Sequence, residues 1–128
     1  MDAHGPPRIL LSAKDGTPRI VLSSTTGAPA VTLSVSPENL PSVVLENPNA
    51  DNPTAAIEVD DKGAHVKFDR KGGASSYLLL NNAGTSGVVL IDAAGLRRVE
   101  VLVNPDGSSQ IVRYDDQGHP LPASAESH

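Results

Sequence analysis

The side chains able to do chemistry are few, and their spacing assembles no site. Four histidines stand at His4, His65, His119 and His128. None falls in a His-x-His or His-Glu-x-x-His spacing, which would bring two imidazoles onto one metal ion. His65 lies between Ala64 and the apolar Val66, so strand alternation turns it outward and predicts a solvated histidine. Acidic pairs occur at Asp60-Asp61 and Asp115-Asp116, each just ahead of a glycine, in Asp60-Asp61-Lys62-Gly63 and Asp115-Asp116-Gln117-Gly118. Paired carboxylates for glycoside hydrolysis need a cleft, usually with aromatic platforms, and Phe68, Tyr77 and Tyr114 are the only aromatic residues. The position of these pairs fits turn formation, with Asp side chains bonding local amides. The serine doublets at 23–24, 75–76 and 108–109 lack the Gly-x-Ser-x-Gly frame of a nucleophile elbow. Gly72-Gly73 lacks the lysine of a phosphate-cradling loop. Asn104-Pro105-Asp106-Gly107 offers oxygen ligands without the glutamate a calcium loop requires. There is no cysteine, hence no disulfide framework and no thiolate nucleophile or metal ligand. The sequence therefore predicts a protein that is not an enzyme and that holds no metal or cofactor.

The elements that would have to position any site are marked by glycine. Gly5, Gly16 and Gly27 are spaced by eleven, and Gly63, Gly73, Gly84, Gly95, Gly107 and Gly118 continue at ten to twelve. These are the expected structural turns. Four and six residues past most of them stand apolar pairs: Ile9/Leu11, Ile20/Leu22, Val31/Leu33, Tyr77/Leu79, Val88/Leu90 and Val99/Val101. Val43/Leu45 and Ile57/Val59 keep the spacing without the glycine, and Val66/Phe68 comes one residue early. Period-two alternation over short segments bounded by Gly, Asp and Asn is a strand-and-turn pattern. It predicts an all-β chain of about ten strands of four to seven residues in an eleven-residue repeat. An antiparallel meander is the simplest topology, and a β-solenoid the alternative, because parallel neighbours need longer connections. Asp15-Gly16 and Asp106-Gly107 are the strongest hairpin signals. Over 36–41 and 46–53 Pro/Asn turns replace the glycine turns, and the second is the longest loop. Residues 1–118 read as one repeat domain, and the polar stretch 119–128 as a disordered tail.

The residue between each apolar pair points to the opposite face. Leu10, Val21, Val44, Leu78 and Val89 make that second face partly apolar, whereas Thr32, Glu58, Lys67 and Glu100 are polar there. A sheet with one wet face should be cleanly polar on that side. Either the sheet folds over itself into a sandwich or barrel, or a partner chain covers the second face. The five apolar residues are thus the candidate assembly face. The core inventory points the same way. Leu, Val and Ile number 13, 13 and 5, so aliphatic residues supply nearly all the apolar mass.

The units Gly5-Pro6-Pro7-Arg8-Ile9-Leu10-Leu11 and Gly16-Thr17-Pro18-Arg19-Ile20-Val21-Leu22 resemble short bacterial β-repeats of the form Asp-x-x-Gly-x-x-Arg-x-x-Leu. More distantly, they resemble the shafts of trimeric viral and phage fibres. Most later units lack the arginine. The resemblance implies an elongated homotrimer with a structural role and no catalytic residues.

A net charge of -5 and a pI near 5.2 argue against nucleic acid as a partner. The N-terminal residues lack the pattern of a signal peptide, and no apolar run approaches the roughly 18 residues of a membrane span. The expected setting is the cytoplasm or a particle or surface assembly. The expected function is a scaffold that self-assembles as a homotrimer, alone or with other proteins of a fibre or particle. A carbohydrate- or small-ligand-binding β-domain acting through the 46–53 loop is the alternative.

Overall fold

The computed structural model describes residues 5–122; His4, His128 and the tail from 123 onward lie outside the described residues. Ten strands follow in chain order: β1 (Ile9–Ser12), β2 (Arg19–Ser23), β3 (Pro29–Val35), β4 (Pro41–Leu45), β5 (Thr54–Asp60), β6 (Gly63–Asp69), β7 (Ser75–Asn81), β8 (Ser86–Ile91), β9 (Arg97–Val103) and β10 (Ser109–Arg113). All belong to one antiparallel sheet whose spatial order equals the sequence order. The chain is the meander, not the solenoid. Connections this short join only antiparallel neighbours. The sheet is open, with β1 and β10 as its edges, so it does not close into a sandwich or barrel. Among the described residues no helix is long and apolar enough to cross a membrane.

Seven turns share one hydrogen-bond pattern. The amide of the first residue donates to the carbonyl of the fifth, and the amide of the fourth donates to the carbonyl of the first. In Asp92–Leu96 both bonds are 2.9 Å. The fourth residue takes a left-handed conformation, where a Cβ is penalised. Here φ lies between +82° and +110° at Gly27, Gly73, Gly84, Gly95, Gly107 and Gly118. At 36–40 the same turn is built with Asn39 in the glycine's place, at φ +68°. The Pro/Asn turn over 36–41 is therefore not a new kind of connection. Asparagine tolerates the left-handed region better than other side chains. A five-residue turn plus a strand of five to seven residues gives the period near eleven. Asp15-Gly16 turns with both residues left-handed, at φ +56° and +72°. Eight of the nine register glycines, Gly16 through Gly118, have positive φ.

The first residues of the expected tail are ordered into the sheet's end. Leu121 donates its amide to the Arg113 carbonyl at 2.7 Å, and Pro120 bridges to Tyr114.

Directly opposed residues in the ladder share a face, so the register sorts the side chains into two sets. One face carries a row that crosses all ten strands: Leu11, Ile20, Leu33, Val43, Ile57, Val66, Leu78, Val88, Val101 and Ile111. The other face carries the row Leu10, Val21, Thr32, Val44, Ala56, Lys67, Tyr77, Val89, Glu100 and Val112. We call these the apolar face and the mixed face.

Candidate functional site: an open apolar sheet face

The first face is aliphatic because most strands place their apolar pair there, β7 contributing Leu78 and β10 Ile111, and nothing among the described residues covers it. Among the described residues seventeen large apolar side chains are exposed, and all but Leu10 stand on this face. Their exposures run from 37% at Val88 to 73% at Ile111. They present on the order of 1,000 Å² of continuous apolar surface, against about 300–600 Å² for the largest patch of a typical monomer. Over β1–β5 the face forms an open groove of about 730 Å³, lined by Leu11, Ile20, Leu33, Val43, Ile57 and Val59 among others.

The mixed face is better covered although it too lacks a second layer. The most buried of the described residues lie in its central row: Val21 at 8%, Ala56 at 7%, Val89 at 4% and Glu100 at 6% exposure. Val21 lies between Leu10 and Thr32, and long amphipathic neighbours shield Ala56 and Val89. Lys67 stands directly opposite Ala56, and Tyr77 opposite Val89, so their apolar bodies lie over the small residues while their polar ends reach water. Glu100 accepts from Arg97, whose Nη1 contacts its Oε2, and from the Tyr114 hydroxyl at 2.5 Å. That hydrogen bond, with burial and the neighbouring negative charge, raises the pKa of Tyr114.

A second polar group occupies the mixed face across β5, β6 and β7. His65 Nε2 lies 2.9 Å from Glu58 Oε1, and its Nδ1 lies 3.8 Å from Asp60. Its ring meets Tyr77 edge-on at 5.9 Å. The side chain is only 15% exposed. The expectation of a solvated histidine is thus corrected: the ring does lie opposite Val66, but neighbours pack around it. Lys67 bridges Glu58 at 3.5 Å and Asp69 at 3.6 Å. Burial draws its pKa down, but the two carboxylates outweigh this and the net shift is upward.

The acidic residues ahead of the glycines serve the turns. Asp60 Oδ1 accepts from the amides of Lys62 (2.9 Å) and Gly63 (3.0 Å). Asp115 Oδ1 accepts from Gln117 (2.8 Å) and His119 (2.9 Å). These amides favour the ionised form. Lys62 is the main cause of the lowered pKa of Asp60, and His119 that of Asp115. Among the described residues no group of three or more His, Cys, Asp or Glu is placed to hold a metal ion. In the 46–53 loop Asn47 and Asn49 bond within the loop, while Asp51 pairs with Lys71 outside it at 3.4 Å. Asn47 Nδ2 donates to the Pro53 carbonyl at 3.0 Å, Asn47 Oδ1 accepts from Asn49, and Asn49 Oδ1 accepts from Asp51. These bonds use the Asn47 and Asn49 side chains to close the loop on itself.

Of the candidate assembly face, Leu10, Val21, Val44 and Val89 do share the mixed face, but Leu78 does not. It pairs with Val66 and Val88 and belongs to the apolar face, while Tyr77 and Leu79 take the mixed side. The cause is a missing bulge. At β2–β3 and β8–β9 the register shifts by one residue beside the turn, between Leu22 and Ser23 and between Leu90 and Ile91. That extra residue puts Val31 and Val99, four past their glycines, on the apolar face. The β6–β7 pairing has no shift, so the residue four past Gly73 falls on the other side. Because Val21 and Val89 are already buried, the surface open to a partner is the apolar face. From sequence alone, that face reads as the core.

Comparison of the chain with protein-family models, curated proteins and solved structures finds no match.

Proposed function

We propose that this chain is a structural β-repeat protein that works as a homo-oligomer, with the apolar face buried between copies, as a scaffold element of a fibre, particle or surface assembly. The observation that carries this reading is the unbroken aliphatic row from Leu11 to Ile111 in a sheet with no second layer. On the order of 1,000 Å² per chain exceeds the ~800 Å² per partner of a standard interface.

Strand length favours three copies. Strands of five to seven residues at ~3.3 Å each are about 17–23 Å long. Three sheets of that width, set as a triangular prism, place the axis about 5–7 Å from each sheet. That is close to half the ~10 Å spacing of packed sheets, so the central row would reach the axis and the flanking rows the corners. The resemblance of the first two units to trimeric fibre repeats points to the same number.

The test is mass in solution. Sedimentation equilibrium at micromolar concentration should give three times the chain's 13.2 kDa. A stable species of 13.2 kDa would overturn self-association, and twice that mass would replace the prism by a two-sheet sandwich.

A further inference from the structure

The two edges of the sheet differ. On β10, the Tyr114 amide donates to the Arg98 carbonyl at 2.9 Å. By antiparallel alternation Ile111 and Arg113 therefore turn their backbone groups outward. That edge is blunted where the chain returns over it. The Arg113 carbonyl accepts from Leu121, Pro120 bridges to Tyr114, and Arg113 adds a charge. On β1, the Ser23 amide donates to the Arg8 carbonyl at 2.8 Å. Arg8, Leu10 and Ser12 thus face β2, and Ile9 and Leu11 point their N–H and C=O away from the sheet. From Ile9 to Leu11 this edge has no charge, proline or bulge, the usual devices that keep edges from pairing. All three side chains are exposed, at 64%, 49% and 72%.

We propose that β1 pairs antiparallel with β1 of a second copy, about a twofold axis at Leu10. The strand is complementary to itself in that register. Ile9 faces the partner's Leu11, and each such pair exchanges two backbone hydrogen bonds through the outward groups. Leu10 faces the partner's Leu10 as a pair without hydrogen bonds. Arg8 comes opposite the partner's Ser12, so no like charges meet. The twofold axis stands perpendicular to the sheet, so both apolar faces lie on the same side. The aliphatic row of one copy then runs into that of the other, which gives one sheet of twice the width. This joint is separate from the face-to-face association and adds to it: a trimer becomes a head-to-head pair of trimers.

The experiment uses the absence of cysteine. In the proposed register the two Leu10 Cα atoms are ~4.5 Å apart, within the ~4.4–6.8 Å that a disulfide spans. The full chain carrying Leu10→Cys should become mostly covalent dimer under mild oxidation. Gln110→Cys, in the same mixed-face setting on β10, should cross-link at least tenfold more slowly. Adding Ile9→Pro, which removes an outward donor while sparing the β1–β2 ladder, should suppress the Leu10→Cys product to the Gln110→Cys level. The Leu10→Cys dimer should persist when Leu78→Asp disrupts the apolar face, so failure of that association and failure of the edge pairing read out separately. Equal rates for the two cysteine variants would overturn the proposal. So would a mixture in which the Leu10→Cys chain prefers the Gln110→Cys chain to its own kind, which reports head-to-tail joining of β1 to β10. Loss of the dimer in the Leu78→Asp chain would show that the edge does not pair on its own.

Discussion

Leu78→Asp separates what the sheet needs to fold from what it needs to associate. Leu78 is 59% exposed in the single chain and lies mid-row between Val66 and Val88. Full burial of a leucine is worth about 1.5–3 kcal/mol, so with 59% of it exposed roughly 1–2 kcal/mol remains for a partner to supply. A carboxylate there sits in water while the chain is alone, and fold stability should change by less than about 1 kcal/mol, as for most surface substitutions. Once the face is covered, the same carboxylate is an uncompensated buried charge, which costs about 3–5 kcal/mol. The two effects together are roughly 4–7 kcal/mol per copy and about 12–20 kcal/mol for three. At ~1.4 kcal/mol per tenfold, no micromolar assembly survives that. Sedimentation equilibrium should report the single-chain mass, with the far-ultraviolet circular dichroism of the parent. Lowering the pH towards about 4 should bring back part of the assembly, because protonation relieves the buried charge. Gln110→Asp, on the exposed mixed side of β10, should leave the mass unchanged. An unchanged mass for Leu78→Asp would refute the reasoning that the apolar face is the covered one.

The remaining predictions concern the single sheet. Val89→Asp should behave in the opposite way to Leu78→Asp, because Val89 is 4% exposed and lies directly opposite Glu100. A buried carboxylate beside another should cost about 3–5 kcal/mol, read as a lowered urea midpoint. Asn39→Gly should leave the melting temperature within a degree or two. Asn39→Val should destabilise by about 1–2 kcal/mol, the penalty of the left-handed conformation for a residue with a bulky Cβ. Acid should loosen the turns. The pKa values of Asp60, Asp92 and Asp115 are lowered by the amides they accept from. Their contribution is complete above the ordinary carboxylate range near about 4 and is lost as pH falls through the lowered values. Amide exchange at Leu96 and His119 should therefore accelerate below about pH 4, and Asp92→Asn should remove most of that dependence at Leu96.

Much of the fold is legible in the sequence because turns and strands carry separate signals. The glycines mark the turns, since only Gly or Asn sits comfortably at the fourth position; the Pro/Asn turn at 36–41 is legible as a turn, but not as the same turn with Asn39 in the glycine's place. The apolar pairs mark strand existence and number. The phase of β7 is not legible. Tyr77-Leu78-Leu79-Leu80 is apolar at every position, so period two cannot say which side is which, and the choice rests on a glycine offset that depends on a bulge. Bulges leave little trace in sequence. The candidate site is half legible. The sequence shows that the second face is partly apolar, yet the face that the fold leaves open is the first. Ala56 lies opposite Lys67, Val89 opposite Tyr77, and Glu100 is held by Arg97 and Tyr114, residues that come side by side only once the register is known. The packing of His65 against Glu58 and Tyr77 is hidden for the same reason.

Every strand pairs only with the strands before and after it in the chain. The fold therefore has no long-range closure to satisfy, and its length is a free variable. A chain with two strands more or fewer keeps its turns on the same ends, its direction and its aliphatic row. It differs only by about 9–10 Å of spine at ~4.7–4.9 Å per strand. A gain or loss of one strand instead reverses the direction of everything downstream. A lineage built on this plan can thus lengthen or shorten its aliphatic row in steps of about twenty-two residues, without inventing a new turn.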